Sequence, residues 1–154
     1  MPVDPTPNLV AIAAGQVPTA AEFDTWHDTL DALSNAWTAY TPALTGITLG
    51  NGSIVGLYMQ AGKKVDFRWA LTFGSTTSVT GGVAIGIPVT ALDANWAGSA
   101  IFFDSSAGAR LAGSLNGGTA SGQVVASTAQ MNATVPFTWA VNDVAKGSGT
   151  IEAA

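Results

Sequence analysis

The stretch GNGSIVGLYMQAGKKVDFRWALTF, residues 50–73, carries the clearest secondary-structure signal in the chain. Asn51-Gly52 and Gly62-Lys63 are turn signals on either side of a strand predicted at about 53–60. The next strand, predicted at 64–73, alternates strictly between two faces. One face carries Val65, Phe67, Trp69, Leu71 and Phe73, and the other carries Lys64, Asp66, Arg68, Ala70 and Thr72. The stretch therefore predicts an antiparallel hairpin with one buried face.

The rest of the C-terminal region continues as short strands. Clusters of Gly, Ser, Asn and Pro separate strands predicted at about 82–87, 98–103, 108–115, 121–127, 134–141 and 147–152. Short strands at a spacing of about ten residues are typical of antiparallel sandwiches and jelly rolls. We therefore predict a mainly β fold, an antiparallel β-sandwich or jelly-roll-like domain over residues 39–154, which we call the knob.

An extended arm is predicted ahead of the folded region. Residues 1–18 hold four prolines, which forbid a regular helix and favour extended backbone. An arm of this kind needs a partner surface to be held in place. The candidate anchoring residues are Pro2, Pro5, Pro7, Leu9, Val10 and Ile12.

One short α-helix is predicted between the arm and the knob, over residues 19–38. Thr19 is a suitable N-cap, and Glu22 three residues later completes a capping box. The apolar residues recur at spacings of three and four, the pattern of a coiled coil. These stripe residues are Phe23, Trp26, Leu30, Leu33 and Trp37. The helix either packs on its own knob or joins two further copies around an axis. The narrow stripe and its two Trp side chains favour the trimer.

Charge is distributed unevenly along the chain. Residues 1–40 hold five acidic residues and no Lys or Arg, whereas acidic and basic residues balance over 41–154, giving a net charge of −5. An acidic chain is repelled by nucleic acid and by anionic membranes, so neither is an expected partner. Charged residues make up 10% of the chain, against about 25% in a typical soluble domain. This composition favours a component of an assembly, whose surface is covered by other subunits.

Few residues in the chain are candidates for catalysis or for binding a metal ion or a ligand. The chain has no Cys and one His, His27, which lies in the predicted helix, so neither a zinc signature nor a nucleophile–histidine pair is indicated. Asp93 and Asp104 lie in predicted loops near Trp96. These three residues are the best combination in the chain for binding a sugar. The favoured interpretation is that Trp96 fills the core or a subunit contact and that the two Asp residues cap turns. We predict no catalytic, cofactor-binding or metal-binding residue, no cofactor and no enzymatic activity.

Several short motifs recur around the predicted hairpin: Trp37, Tyr40-Thr41-Pro42, Gly50-Asn51-Gly52, Tyr58, Gly62-Lys63, Val65, Phe67 and Gly74-Ser75-Thr76-Thr77. Further motifs are PFTWA at 136–140, GTIEAA at 149–154 and the lead-in GQVPTAAEFDTWHDTLDAL. Together these motifs resemble a module of virion proteins from tailed phages that infect actinobacteria. Such proteins are described as minor tail proteins or fibres, and no catalytic residue of that family can be transferred to this chain.

The resemblance implies a non-enzymatic structural protein on a phage virion. We expect a homotrimer anchored by residues 1–18, joined through residues 19–38 and presenting the knob, with the major capsid protein or a tail protein as partner. A small knob on a short arm favours a capsid decoration or head-fibre protein. The alternative is a minor tail protein or short tail fibre whose knob binds host cell-wall glycan. A glycan-degrading enzyme is the least favoured hypothesis.

Overall fold

The computed structural model describes residues 19–21, 23, 24, 27, 37–127 and 129–154. The chain divides into two compact units, Met1–Ala36 and Trp37–Ala154. In the first unit, the backbone is helical at Ala20, Ala21, Phe23, Asp24 and His27. The Phe23 N–H donates to the Thr19 carbonyl at 3.1 Å, so the backbone turns helically directly after the predicted N-cap. The anchoring arm and the rest of the predicted helix up to residue 36 lie outside the described residues.

The described residues of the second unit form nine strands. They are β1 (Thr38–Tyr40), β2 (Leu44–Thr48), β3 (Ser53–Ala61), β4 (Lys64–Thr72), β5 (Ser78–Gly86), β6 (Ala97–Asp104), β7 (Ala109–Asn116), β8 (Ser121–Ala126) and β9 (Val144–Glu152). All pair in an antiparallel manner within one sheet of order β1-β3-β4-β9-β6-β7-β8-β5-β2. The predicted mainly β, antiparallel fold is therefore confirmed.

The two edge strands of this sheet, β1 and β2, are consecutive in the chain. Residues 41–43 join them, a link that spans at most about 14 Å between the flanking Cα atoms. This link contacts β3, next to one edge strand, and β5, next to the other. A Cβ added to Gly56 on β3 would lie 2.8 Å from the Pro42 ring, and the Gly86 N–H of β5 donates to the Ala43 carbonyl at 2.7 Å. The sheet must therefore curl until its edges approach each other. One continuous curled sheet replaces the two stacked sheets expected of a sandwich.

The core lies inside this curl. The inward face of β4 is the one predicted from its alternation, with Val65, Phe67, Trp69 and Leu71 all buried and Phe73 buried directly after the strand. Residues of the other strands complete the core: Val83, Ile85, Ala100, Phe102, Leu115, Val124, Ala145 and Ile151. Gly147 and Gly149 on β9 leave room for the Trp69 and Phe67 rings, because an added Cβ would lie within 3 Å of each.

The hairpin is confirmed in register, with Ser53 opposite Thr72 and Ala61 opposite Lys64. Two predicted elements need correction, the end of the helix and one strand. The helix predicted over residues 19–38 does not include its last two residues, because Trp37 is not helical and Thr38 pairs with Tyr58 in β1. The strand predicted at 134–141 is a series of turns. Pro136 has no N–H to give a sheet, and the Asn132 side chain accepts the Thr134 N–H at 3.0 Å, which closes a local turn.

Candidate functional site

One face of the sheet has an apolar surface turned away from the core. The alternation that buries Val65 to Leu71 directs Ala70 outward, and the strand register places Val55 on β3 opposite Ala70. Ala70 lies opposite Lys146 on β9, which lies opposite Ile101 on β6. These four side chains therefore form one row across the outer face of β3, β4, β9 and β6.

A shallow groove of about 420 Å³ lies along this row. We call it the outer groove. Its lining side chains are Val55, Leu57, Arg68, Ala70, Ser99, Ile101, Lys146 and Ser148. Val55 and Ile101 are 57% and 51% exposed, although both are large aliphatic residues. The small side chains of Ala70, Ser99 and Ser148 form the floor, so the groove is shallow, with two hydroxyls on its floor and the aliphatic side chains of Val55 and Ile101 beside it.

Two cationic side chains, Arg68 and Lys146, lie beside the floor of the outer groove. The Arg68 guanidinium lies 4.5 Å from the centre of the Trp37 ring, a cation–π contact. Lys146 occupies the groove beside Ile101. Among the described residues, neither Arg68 nor Lys146 has an acidic partner within 4 Å, whereas the neighbouring Lys64 ammonium lies 2.9 Å from the Asp66 carboxylate. A hydrogen bond from the Thr150 hydroxyl, together with Lys64, lowers the pKa of Asp66.

Two further depressions extend the outer groove at its ends. One, of about 670 Å³, shares Arg68, Ser99 and Ser148 with it and reaches Trp37 and Thr150. The other, of about 130 Å³, shares Ile101 and Lys146 and reaches Phe103 and Arg110. The Arg110 guanidinium lies 5.1 Å from the centre of the Phe103 ring. The three depressions form one trough along the strands. It offers apolar contact and the cations Arg68, Lys146 and Arg110, and its end near Trp37 also carries the Asp66 carboxylate, which accepts the Thr150 hydroxyl.

At one end of the sheet, two loops are fastened to each other by hydrogen bonds. We call residues 49–52 and 74–77 the clasp. The Asn51 N–H donates to the Thr76 hydroxyl, and the Asn51 side-chain oxygen accepts from the Thr76 N–H and hydroxyl, each at 2.9 Å. The Asn51 amide donates to the Ser75 hydroxyl at 2.9 Å. The Thr77 hydroxyl bonds to the Leu49 carbonyl and accepts the Gly74 N–H.

The clasp requires glycine because its two loops lie in direct backbone contact. A Cβ on Gly74 would lie 2.2 Å from the Asn51 side-chain oxygen, and one on Gly52 would lie 2.4 Å from the Thr77 hydroxyl. Gly50 also has a φ of +56°, which disfavours any other residue. A polar depression of about 280 Å³ beside the clasp is lined by Asn51, Ser75, Asn142 and neighbouring residues.

A buried carboxylate supports the same end of the sheet. Asp143 is fully buried. One of its oxygens accepts the Ser105 N–H and hydroxyl at 2.8 Å, and the other accepts the Ala140 N–H at 2.7 Å. The Asp143 carbonyl also accepts the Phe73 N–H at 2.9 Å. Asp143 therefore joins three segments of the chain, and its oxygens are occupied by those bonds.

The loop residues considered for sugar chemistry have structural contacts. Trp96 packs edge-on against Phe67, with ring centres 5.5 Å apart, and its indole N–H donates to the Gly118 carbonyl at 2.9 Å. Asp93 accepts the Asn95 N–H at 2.8 Å. Asp104 accepts bonds from Ser106 and Ala107, which lower the pKa of its carboxyl. Trp96 thus fills the core margin and both acids cap turns, as the sequence favours.

The predicted stripe residues fall in different places. Phe23 is helical and 54% exposed, in the first unit. Trp37 belongs to the second unit, where it contacts Arg68. Trp26, Leu30 and Leu33 lie outside the described residues, as do Pro2, Pro5, Pro7, Leu9, Val10 and Ile12 of the predicted arm. The trimer interface and the anchoring arm therefore stay predictions.

The sequence interpretation missed the outer groove, although one signal for it was present. Strand β3 carries Ile54 and Tyr58 toward the core, but it also carries Val55, Leu57 and Met59 on its outer side. A half-buried antiparallel strand normally has polar residues on its solvent face. An apolar residue at every outward position from 55 to 59 indicates a second surface to be covered.

Over the described ranges 37–127 and 129–154 and the few described positions before them, no three His, Cys, Asp or Glu side chains come close enough to hold a metal ion. Within that same part of the chain, no helix has both the length and the apolar character needed to cross a lipid bilayer. Comparison of the sequence with protein-family models, with curated proteins and with solved structures found no match.

Proposed function

We propose that this chain is a non-enzymatic structural protein on the surface of a phage virion. In this proposal it is a homotrimeric decoration or head-fibre protein, anchored to the capsid by residues 1–18. Residues 19–38 join the subunits and the knob faces outward. Its partners are two further copies of itself and the major capsid protein.

The exposed apolar row of the outer groove carries this proposal. Val55 lies beside Ala70, and Ile101 lies in the same row on the far side of Lys146, with more than half of each large side chain exposed to solvent. Large apolar side chains exposed together on one face of a protein generally mark a place where another surface binds. The low content of charged residues, 10%, points in the same direction.

The contacts of the shared motifs support a structural role for the module. Gly50-Asn51-Gly52 and Gly74-Ser75-Thr76-Thr77 bind each other in the clasp. Tyr40 packs edge-on against Tyr58, with ring centres 6.0 Å apart. These motif residues therefore contribute to the scaffold of the sheet, which is what a virion module without catalytic activity requires.

A second candidate is a minor tail protein or short tail fibre whose knob binds host cell-wall glycan. The polar depression beside the clasp supports it, because Asn51, Ser75 and Asn142 there present amide and hydroxyl groups of the kind that bind sugars. Binding of purified cell-wall glycan that is lost in Asn142→Ala would favour this candidate over a decoration protein.

The proposed function is tested by attachment to particles. Full-length protein and a variant lacking residues 1–18 are mixed with particles that lack the protein, and bound copies are counted by electron microscopy. We expect full-length protein to bind in multiples of three and the truncated protein to stay in solution while remaining folded by circular dichroism. Equal binding of both forms would move the anchor to the knob, and no binding of either would contradict a virion role.

A further inference from the structure

We propose that the outer groove of each copy receives residues 19–36 of a second copy. This inference rests on the proposed homotrimer and names the contact that holds it together. The proposed occupant is the segment with the apolar stripe residues Phe23, Trp26, Leu30 and Leu33.

The proposed segment and the outer groove are complementary in charge. Residues 19–36 contain Glu22, Asp24, Asp28 and Asp31 without any Lys or Arg. The outer groove presents Arg68 and Lys146, which have no acidic partner within salt-bridge distance in the described part of the chain. An acidic amphipathic segment and a cationic apolar groove therefore match in both charge and polarity.

The proposed segment and the trough also match in length. From Phe23 to Leu33 the stripe extends over ten residues, about 15 Å as a helix. The trough runs along β4 from the level of Asp66 to that of Thr72, about 20 Å of strand. Its floor of Ala70, Ser99 and Ser148 is low enough to admit large side chains. Phe23 is helical and 54% exposed.

A second copy of the same groove is a poorer occupant. Two outer grooves placed face to face would bring Arg68 and Lys146 of one copy toward the same cations of the other. Like charges across an interface oppose association. A segment of one copy in the groove of the next is a heterologous contact, and three such contacts close into a ring. This arrangement uses every groove and every segment once.

Disulfide trapping tests the contact directly, since the chain contains no Cys that could interfere. A tagged Ala70→Cys chain is co-expressed with an untagged Leu30→Cys chain, and the purified protein is oxidised and separated by mass. We expect a mixed dimer that joins one tagged and one untagged chain. The matched control replaces Ala70→Cys by Gln123→Cys on β8, an exposed position four strands away from β4 in the strand order, and should give no mixed dimer.

Charge reversal gives an independent measurement. Arg68→Glu with Lys146→Glu should weaken trimer formation roughly tenfold, since two ion pairs are replaced by two repulsions. Adding Asp28→Lys and Asp31→Lys to the same chain should restore it. Lys63→Glu, in the β3–β4 turn, should change nothing.

Three other outcomes would overturn this inference. Dimers linked through two Leu30→Cys chains would place the segments around a common axis and overturn the groove contact, while the trimer of the proposed function would stand. In a further chain that carries both Ala70→Cys and Leu30→Cys, a disulfide formed only within the chain would assign the groove to the chain's own segment, and would also overturn the inference. A monomeric wild-type protein would overturn both the inference and the proposed trimer.

Discussion

Asn51 and Thr76 are joined by three hydrogen bonds, although 25 residues separate them in the chain. Asn51 lies between β2 and β3, and Thr76 lies between β4 and β5. The pair therefore fixes two consecutive connections of the sheet against each other at one end. Because both loops are at the surface, their geometry depends on these side chains rather than on burial.

Replacing Asn51 by Ala should lower the free energy of unfolding by about 1–2 kcal/mol, because the Thr76 N–H and hydroxyl and the Ser75 hydroxyl all lose a partner. Urea unfolding measures the change. The matched control is Asn116→Ala, an exposed Asn at the end of β7, which should change stability by less than about 0.5 kcal/mol. Equal effects of the two substitutions would show that the clasp bonds contribute little.

Gly74→Ala should destabilise the protein more than Gly81→Ala does. A Cβ at position 74 would lie 2.2 Å from the Asn51 side-chain oxygen and 2.6 Å from the Gly52 nitrogen, so the clasp must open. No atom outside the neighbouring residues lies within 4 Å of a Cβ built on Gly81. Gly81→Ala should therefore be neutral or stabilising by up to about 1 kcal/mol, since it restricts the unfolded chain. Thermal unfolding of both variants provides the comparison.

Asp143→Asn should destabilise the protein by about 2–4 kcal/mol, because the amide nitrogen would face either the Ala140 N–H or the Ser105 donors. The substitution keeps shape and volume, so the loss isolates the hydrogen bonds of the carboxylate. Asp93→Asn is the control, since Asp93 caps an exposed turn and the amide oxygen can still accept the Asn95 N–H. A loss below about 1 kcal/mol for Asp143→Asn would contradict the structural role assigned to this buried acid.

Tyr40→Phe should remove part of the alkaline instability. Burial raises the pKa of Tyr40 from 10.0 to about 12, so the folded state favours the neutral phenol. The resulting stability is present below pH 10 and is lost as the pH rises through about 12. Within the described residues, the buried hydroxyl has no hydrogen-bond partner, so Tyr40→Phe should not destabilise the protein at pH 7. Denaturant midpoints at pH 7 and pH 11 measure both effects. Tyr58→Phe retains Tyr40 and should retain the alkaline loss attributed to it.

Replacing both Trp26 and Leu30 by Ala should weaken the oligomer while the knob stays folded. Truncation of a large side chain that is buried in an interface costs about 2–5 kcal/mol. Analytical ultracentrifugation gives the mass, and near-ultraviolet circular dichroism reports on the aromatic core of the knob. An unchanged oligomer would mean that the stripe does not join subunits.

The hairpin and its buried face could be predicted because the information is local. Alternation at every second residue fixed which side of β4 faces the core, and Gly62-Lys63 fixed the turn that sets the register. The short strands β1 and β2 were missed because their sequences, TAY and LTGIT, offer too few residues to show an alternation. The strand predicted at 134–141 is wrong because its apolar residues pack from irregular backbone: Trp139 packs on Phe73 and Phe102, and Phe137 packs on Trp139.

The strand order and the outer groove depend on contacts between distant parts of the chain. No local pattern indicates that β4 lies beside β9, or that Ile101 and Lys146 share a row with Val55. The position of the groove follows from this order, since β3, β4, β9 and β6 must be neighbours before their outward residues form one surface. The sequence could therefore show that β3 has two apolar faces, but not what lies next to it.

The place of β9 in the middle of the sheet has a consequence for biosynthesis. During translation, β9 leaves the ribosome after the other eight strands, yet it pairs with both β4 and β6. Until then the hairpin of β3 and β4 has an unpaired inner edge, and its aromatic face lacks the strand that covers it. Nascent chains that meet one another at this stage could pair through that edge. Folding of this domain should therefore wait until β9 has been synthesised, and the yield of soluble protein should depend on how well chaperones protect the eight-strand intermediate.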